Sequence, residues 1–229
     1  MTGHILLAGG AEFGGRMAEP DRRALALAGG PDAALCIIPT AAAPDHNEGR
    51  AGRNGLRWFE SLGSRNVSVL PLVDRSSAGD AALAEQLGQA RLIYLLGGFT
   101  HYLGQTLAGS RCLDAMRAAY AAGAVVAGSS AGAMVLCQHY FNPETGQVEP
   151  GLNFVSNACF LPHHNTFGKG WAARLAAALP GVVLVGVDEQ TGMIDDAPQG
   201  QWSVSGRGVV TLYHGGKPSI YHPGELVKI

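Results

Sequence analysis

Gly128-Ser129-Ser130-Ala131-Gly132 is the segment of this chain whose residue types and spacing most directly imply chemistry. It fits the pattern G-x-S-x-G, follows an Ala/Val run that reads as a strand, and precedes Ala133–Cys137, which reads as the start of a helix. A sharp strand-to-helix turn lifts the serine Oγ clear of the sheet. Glycines two residues to either side let strand and helix approach without Cβ clashes, and the free N–H groups of the helix start face a developing oxyanion. Ser130 alone has both glycines at the required spacing, so it is the candidate nucleophile for acyl transfer. Leu96-Gly97-Gly98-Phe99-Thr100 closes another strand-like run. It is either a plain tight turn or the source of a second oxyanion donor, Gly98, beside the N–H of Ala131.

A serine needs a positioned base, and that base needs a partner that orients it. Of the eight histidines, His163 and His164 follow Leu161-Pro162 at the end of a strand-like segment, where an imidazole can reach the same rim. Val185-Gly186-Val187-Asp188-Glu189 ends another strand with two adjacent acids. Side chains alternate along a strand, so only one of Asp188 and Glu189 is expected to face the site. Metal binding by the His doublet is disfavoured, because adjacent residues rarely bind one ion together and no third ligand is evident. Gly9-Gly10-Ala11-Glu12-Phe13-Gly14-Gly15 fits neither dinucleotide fingerprint nor P-loop. These glycines instead suit a loop passing beside the active site, and no cofactor is expected.

The elements that must position these residues alternate. Short apolar runs at His4–Ala8, Ala34–Ile38, Val67–Leu70, Leu92–Leu96 and Ala124–Ala127 are separated by helix-like segments at Asp21–Ala28, Gly49–Leu62, Ala81–Gln89 and Cys112–Ala121. That rhythm predicts βαβ units, hence a mostly parallel sheet with helices on both faces and its ligand site beyond the carboxyl ends of the strands. Asn153–Leu161 and Val182–Val187 read as strands flanking a helix at Gly170–Leu179. The pieces Trp202–Ser205, Gly208–Tyr213 and Ser219–Tyr221 read as antiparallel hairpins added to the same α/β domain, taken to span residues 1–229.

Composition supports this class. Hydrophobic residues make up 47% of the 229 and charged residues only 15%, which suits a sheet buried on both faces and leaves room for a homodimer contact. A net charge of −2 with no basic run argues against a nucleic-acid partner. No apolar stretch reaches membrane-span length, and MTGHILLAGG lacks the marks of a signal peptide. Four cysteines far apart in sequence suit buried thiols in a cytoplasmic protein.

Together GGAEFGG, GGFTHYL, AGSSAGA, LPHH, GVDEQTGMI and WSVSGRGVVTLY resemble, in this order, the serine peptidase family of aspartyl dipeptidase and cyanophycinase. The likeness covers nearly the whole chain. It implies a class I glutamine-amidotransferase-like fold with serine at the elbow, no metal or organic cofactor, and a small peptide substrate with an N-terminal or β-linked aspartyl residue. By position it implies Ser130 as nucleophile, His163 as base, Glu189 as acid, and Gly98 with Ala131 as oxyanion hole. Thr100, His164 and Arg174 fall at substrate-contact positions. Phe99 stands where relatives carry Asn or Asp, and His164 where they carry an aromatic residue. Two other readings remain: an α/β-hydrolase esterase using Ser130, Asp195 and His214 or His222, and a catalytically idle relative that binds a ligand or a partner.

Overall fold

A computed structural model of the chain describes residues 3–229; the first two residues of the expected 1–229 domain lie outside it. The sheet begins with β1 (His4–Ala8), and α1 (Ala18–Leu27) leads to β2 (Leu35–Ile38). Then come α2 (Glu48–Ser61), β3 (Val67–Val69), α3 (Arg75–Ala78), α4 (Ala81–Gln89) and β4 (Leu92–Leu95). After α5 (Thr100–Leu107) and α6 (Arg111–Ala121) the chain enters β5 (Val125–Ser129). These five strands pair in parallel in the order β1-β5-β4-β2-β3. All residues of β2, β4 and β5 are buried. A sheet covered on both faces needs apolar residues on both, so these strands read as continuous runs rather than alternations.

Past β5 the structure departs from a single extended sheet. The helix α7 (Ala131–Leu136) lasts six residues, and Cys137 already has extended dihedrals as the first residue of β6 (Cys137–Asn142). There follow β7 (Gln147–Pro150), β8 (Val155–Leu161), α8 (Ala172–Ala178) and β9 (Val183–Val187). Next come β10 (Thr191–Ala197), β11 (Gln201–Gly206), β12 (Val210–His214), β13 (Lys217–Tyr221) and β14 (Leu226–Val227).

Antiparallel β10, β11 and β14 extend the first sheet beyond β1, making eight strands. A second, six-stranded sheet runs β13-β12-β9-β8-β6-β7, with β6, β8 and β9 parallel. The expected C-terminal hairpins are therefore divided between two sheets. The reason lies in Ala133–Cys137, which is buried at every position: an apolar run without Gly or Pro gives no sign of where helix yields to strand. One packed cluster joins both sheets, including Val126 and Leu95 of the first and Phe160 and Leu212 of the second. All four cysteines are buried free thiols. Among the described residues no helix is long and apolar enough to cross a membrane.

Against the interior strands of the first sheet lies a buried ionisable group. Asp21 of α1 is fully buried and accepts a 2.7 Å hydrogen bond from the Trp58 indole. Burial pushes its carboxyl up to about 7, and the nearby Glu12 adds to the rise, against the indole's opposing effect. A folded-state value above the unfolded one means that this group's favourable contribution is complete below about pH 4 and lost as pH climbs through about 7. Asp21→Asn keeps an acceptor for Trp58 and cannot ionise. The variant is expected to gain up to about 4 kcal/mol over the parent at pH 8, and to have a flatter stability profile between pH 4 and 7, measured by urea unfolding. A parent and variant of equal stability at pH 8 would refute the assignment.

Candidate active site

The carboxyl ends of β1, β4 and β5 meet at one rim, and glycines there let backbone touch backbone. A Cβ on Gly128 would lie 2.4 Å from the carbonyl carbon of Gly132, and one on Gly132 would lie 2.2 Å from the Leu95 oxygen. Between them Ser130 adopts φ 49°, ψ −111°, in the left-handed region that L side chains rarely enter. Its N–H donates to the Ala8 oxygen at 3.0 Å, pinning the bend to β1, and its carbonyl accepts the first helical bond, from Met134. This strained bend at the top of the sheet is the geometry that lifts Oγ outward.

The imidazole arrives from the end of β8. His163 also has positive φ, 46°, and its N–H donates to the Gly9 oxygen at 2.7 Å. Three donors close over its carbonyl: the Thr166 N–H and Oγ1 and the Gly168 N–H. The ring stacks on Phe167 at 4.9 Å and lies where a Cβ on Gly10 would be, 2.3 Å from its nearest atom. His163 Nε2 is 3.0 Å from Ser130 Oγ, and Nδ1 is 2.7 Å from Glu189 Oε1. With the ring neutral and protonated at Nδ1, that nitrogen donates to Glu189, and Nε2 is free to accept the serine proton. Glu189 is held in turn by its own N–H, which donates to Asn165 Oδ1 at 2.9 Å.

The two doublets interleave. Where Glu189 faces His163, Asp188 turns the other way, 3.5 Å from His164 Nδ1, and accepts the Val209 N–H. His164 is buried, with Nε2 2.9 Å from the Tyr213 hydroxyl. Burial lowers its pKa, while Asp188 opposes the shift.

Gly98 and Ala131 flank Ser130. Gly98 has φ +139°, and a Cβ there would lie 2.3 Å from the Ala41 oxygen. Among the described residues neither its N–H nor that of Ala131 has a hydrogen-bond acceptor.

The structure places the three expected substrate contacts against other parts of the protein. His164 is enclosed by Tyr213 and Asp188. Thr100 is buried, its hydroxyl turned to Met134 Sδ at 3.4 Å. Arg174 is held at the β6–β7 turn, bonded to the Gly146 oxygen and stacked over Phe141. The esterase alternative finds no support either. Asp195 accepts the Ile5 N–H and pairs with His4, while His214 is exposed at the end of β12.

Two residues of note were not singled out by sequence. A cavity of about 590 Å³ opens beside Gly97-Gly98-Phe99, walled also by Glu12, Asp45, Asn54, Arg57 and Trp58. Glu12 accepts the Gly97 N–H at 3.3 Å, and burial raises its pKa against the opposing effects of the Ser129 hydroxyl and the Gly97 N–H. Arg57 comes from α2, which carries no motif.

The fold is α/β, of the class I glutamine-amidotransferase-like kind. Residues 5–194 match peptidase family S51. The cyanophycinase of Geminocystis herdmanii is 28% identical over 236 residues, spanning 97% of this chain and 84% of that protein. That of Thermosynechococcus vestitus is 28% identical over 221 residues, spanning 92% and 67%. The crystal structure of a peptidase from an acI-B1 Actinobacterium superposes with a TM-score of 0.89 at 29% identity, covering 100% of this chain and 98% of that one. The chain belongs to peptidase family S51, and its activity class is that of a peptidase.

The elbow's closeness makes it intolerant of a single methyl group. Gly132→Ala must push the start of α7 away from Leu95, and a destabilisation of about 3 kcal/mol is expected by urea unfolding. A variant as stable as the parent would show that the two backbones are not in contact.

Proposed function

We propose that this chain hydrolyses a small peptide with an N-terminal or β-linked aspartyl residue, through an acyl-enzyme on Ser130. The observation that carries this reading is the continuous chain from Ser130 Oγ to His163 Nε2 at 3.0 Å and from Nδ1 to Glu189 at 2.7 Å. His163 accepts the Ser130 proton as Oγ bonds to the peptide carbonyl carbon. The N–H groups of Gly98 and Ala131 stabilise the resulting oxyanion. The C–N bond then breaks, and His163 returns the proton to the departing amine. Water, deprotonated by the same imidazole, releases the acid and restores the serine. Glu189 keeps the ring in the productive tautomer and stabilises it when charged.

Support for an aspartyl substrate comes from the family likeness and from the cavity. Arg16 pairs with Glu19 and Arg174 with Gly146, leaving Arg57 as the cation in the cavity wall, free of hydrogen-bond partners among the described residues. Its planar fork suits a substrate carboxylate.

Ser130→Ala should lose about 10⁴ to 10⁶ in kcat and all labelling by a fluorophosphonate. An unlabelled parent would favour the idle-relative alternative instead. Arg57→Ala should lower kcat/KM about tenfold on an aspartyl substrate, and less on the asparaginyl analogue. Equal losses on both would remove the carboxylate role.

A further inference from the structure

The imidazole of His163 serves two partners in turn, the serine hydroxyl and then the departing amine. The proton passes from Nε2, so the leaving nitrogen has to come within about 3 Å of that atom. Its residue then continues across whatever surface flanks the ring. Much of the ring is already enclosed. Glu189 lies 2.7 Å from Nδ1 and Ser130 Oγ 3.0 Å from Nε2. Gly10, itself buried, sits so close that a Cβ there would lie 2.5 Å from Nε2. A further neighbour is Phe167, whose ring stacks on the imidazole with centroids 4.9 Å apart and planes inclined by 26°.

Phe167 is 52% exposed, and among the described residues only Ile220 and Leu226 are comparable large apolar side chains open to water. A single exposed apolar residue needs no explanation, and those two lie on the outermost strands β13 and β14. Phe167 differs from them in being held beside the catalytic base. The N–H groups of Thr166 and Gly168, on either side of it, both donate to the His163 carbonyl, which folds the loop back over the histidine. Its ring also packs on Trp171 at 5.4 Å, and Trp171 packs on the buried Phe141 at 4.8 Å. A side chain fixed in this way has little freedom left to lose on binding. The result is a preset aromatic face, open to water, against the ring that delivers the proton. Covering such a face with an apolar group is favourable.

Resting on the acyl-transfer reading above, we infer that Phe167, backed by Trp171, receives the side chain of the leaving-group residue. The enzyme thereby selects peptides whose departing residue is aromatic or a large aliphatic. Nitrogen, Cα and Cβ are consecutive atoms of that residue, so its side chain begins two bonds from the nitrogen that takes the proton. Nε2 belongs to the ring stacked on Phe167, so a phenyl or isobutyl group starting there is long enough to lie against the exposed face. A methyl group is too short. Lys169, exposed and two residues further on, puts a cationic side chain at a disadvantage.

The test measures kcat/KM on L-aspartyl-L-phenylalanine, L-aspartyl-L-leucine and L-aspartyl-L-alanine, which share one acyl half and differ only beyond Cβ of the leaving residue. The parent should favour the phenylalanine peptide over the alanine peptide by about 5- to 30-fold, with leucine between them. In Phe167→Ala that ratio should collapse towards one, and in Phe167→Tyr, which keeps the aromatic face, it should persist. A parent that cleaves all three equally well overturns the proposal. So does a Phe167→Ala variant slowed by one common factor with its ratio intact, which would mean that Phe167 only steadies His163. Should Phe167→Ala fail to fold, the parent's ratio and that of Phe167→Tyr decide. Cleavage that survives Ser130→Ala, or a parent that cleaves none of the three, brings down the acyl-enzyme or aspartyl reading and this proposal with it. A flat preference in an active parent overturns the proposal alone.

Discussion

The structure depends on backbones meeting without side chains between them at the carboxyl ends of β1, β4 and β5. Five glycines make this possible. Gly128 and Gly132 let α7 press on its own strand and on Leu95, Gly98 lets its loop rest on Ala41, and Gly9 and Gly10 let the first loop pass under Asp188 and His163. Each of these Cβ positions falls within 2.5 Å of another atom, and most of those atoms belong to backbone, which cannot turn aside. The left-handed dihedrals of Ser130 and His163 follow from this closeness. A residue held in such a conformation costs on the order of 1–3 kcal/mol, and the hydrogen bonds from Ser130 to Ala8 and from His163 to Gly9 hold both in place. Strain and anchoring thus share one origin, and together they set the hydroxyl 3.0 Å from the imidazole.

The His163-His164 and Asp188-Glu189 doublets show how one strand alternation can produce two pairs of opposite character. His163 with Glu189 keeps partial access to solvent, the side chains being 20% and 35% exposed. His164 with Asp188 is nearly sealed, at 6% and 12%. Its pKa is lowered by burial, so the ring tends to the neutral form and can both donate and accept between Tyr213 and Asp188. The sealed pair joins the segment after β8 to the end of β9 and to β12. The open pair is thereby held in register, because neighbouring residues on one backbone cannot move independently. A histidine here fits this role: its ring adds a hydrogen bond to Tyr213 and a close contact with the Asp188 carboxylate.

Sequence legibility followed how local each signal was. The elbow was readable because strand, glycines, serine and helix start all lie within a few residues, and the parallel strands because burial on both faces leaves continuous apolar runs. His163 and Glu189, named through family likeness, meet Ser130 across the fold. The partners of Arg174, Thr100 and His164, which are Gly146, Met134 and Tyr213, come from other elements and left no local signal. Arg57 gave no signal at all, being one arginine of several in an amphipathic helix. Glu12 did leave one: an acidic residue amid glycines, just past the carboxyl end of a strand, lies where such sheets bind ligands. The second sheet was missed where Leu136 passes into Cys137, since a fully buried helix and a fully buried strand share the same apolar composition.

Phe99 takes on meaning in this frame. With Gly98 it walls both the 590 Å³ cavity and a second one of about 240 Å³, which is also lined by His101, Asn142 and Glu144. The residue is therefore a ridge between two spaces, placed directly after the glycine proposed to donate to the oxyanion. Its N–H is already engaged with the Ala41 oxygen at 2.8 Å, and it caps the start of α5. An Asn or Asp here would offer polar atoms to a substrate; phenylalanine offers only shape. The charged groups in the wall of the larger cavity are Glu12, Asp45 and Arg57. These three come from the loop after β1, from the turn before α2 and from α2 itself, and none from the loop after β4.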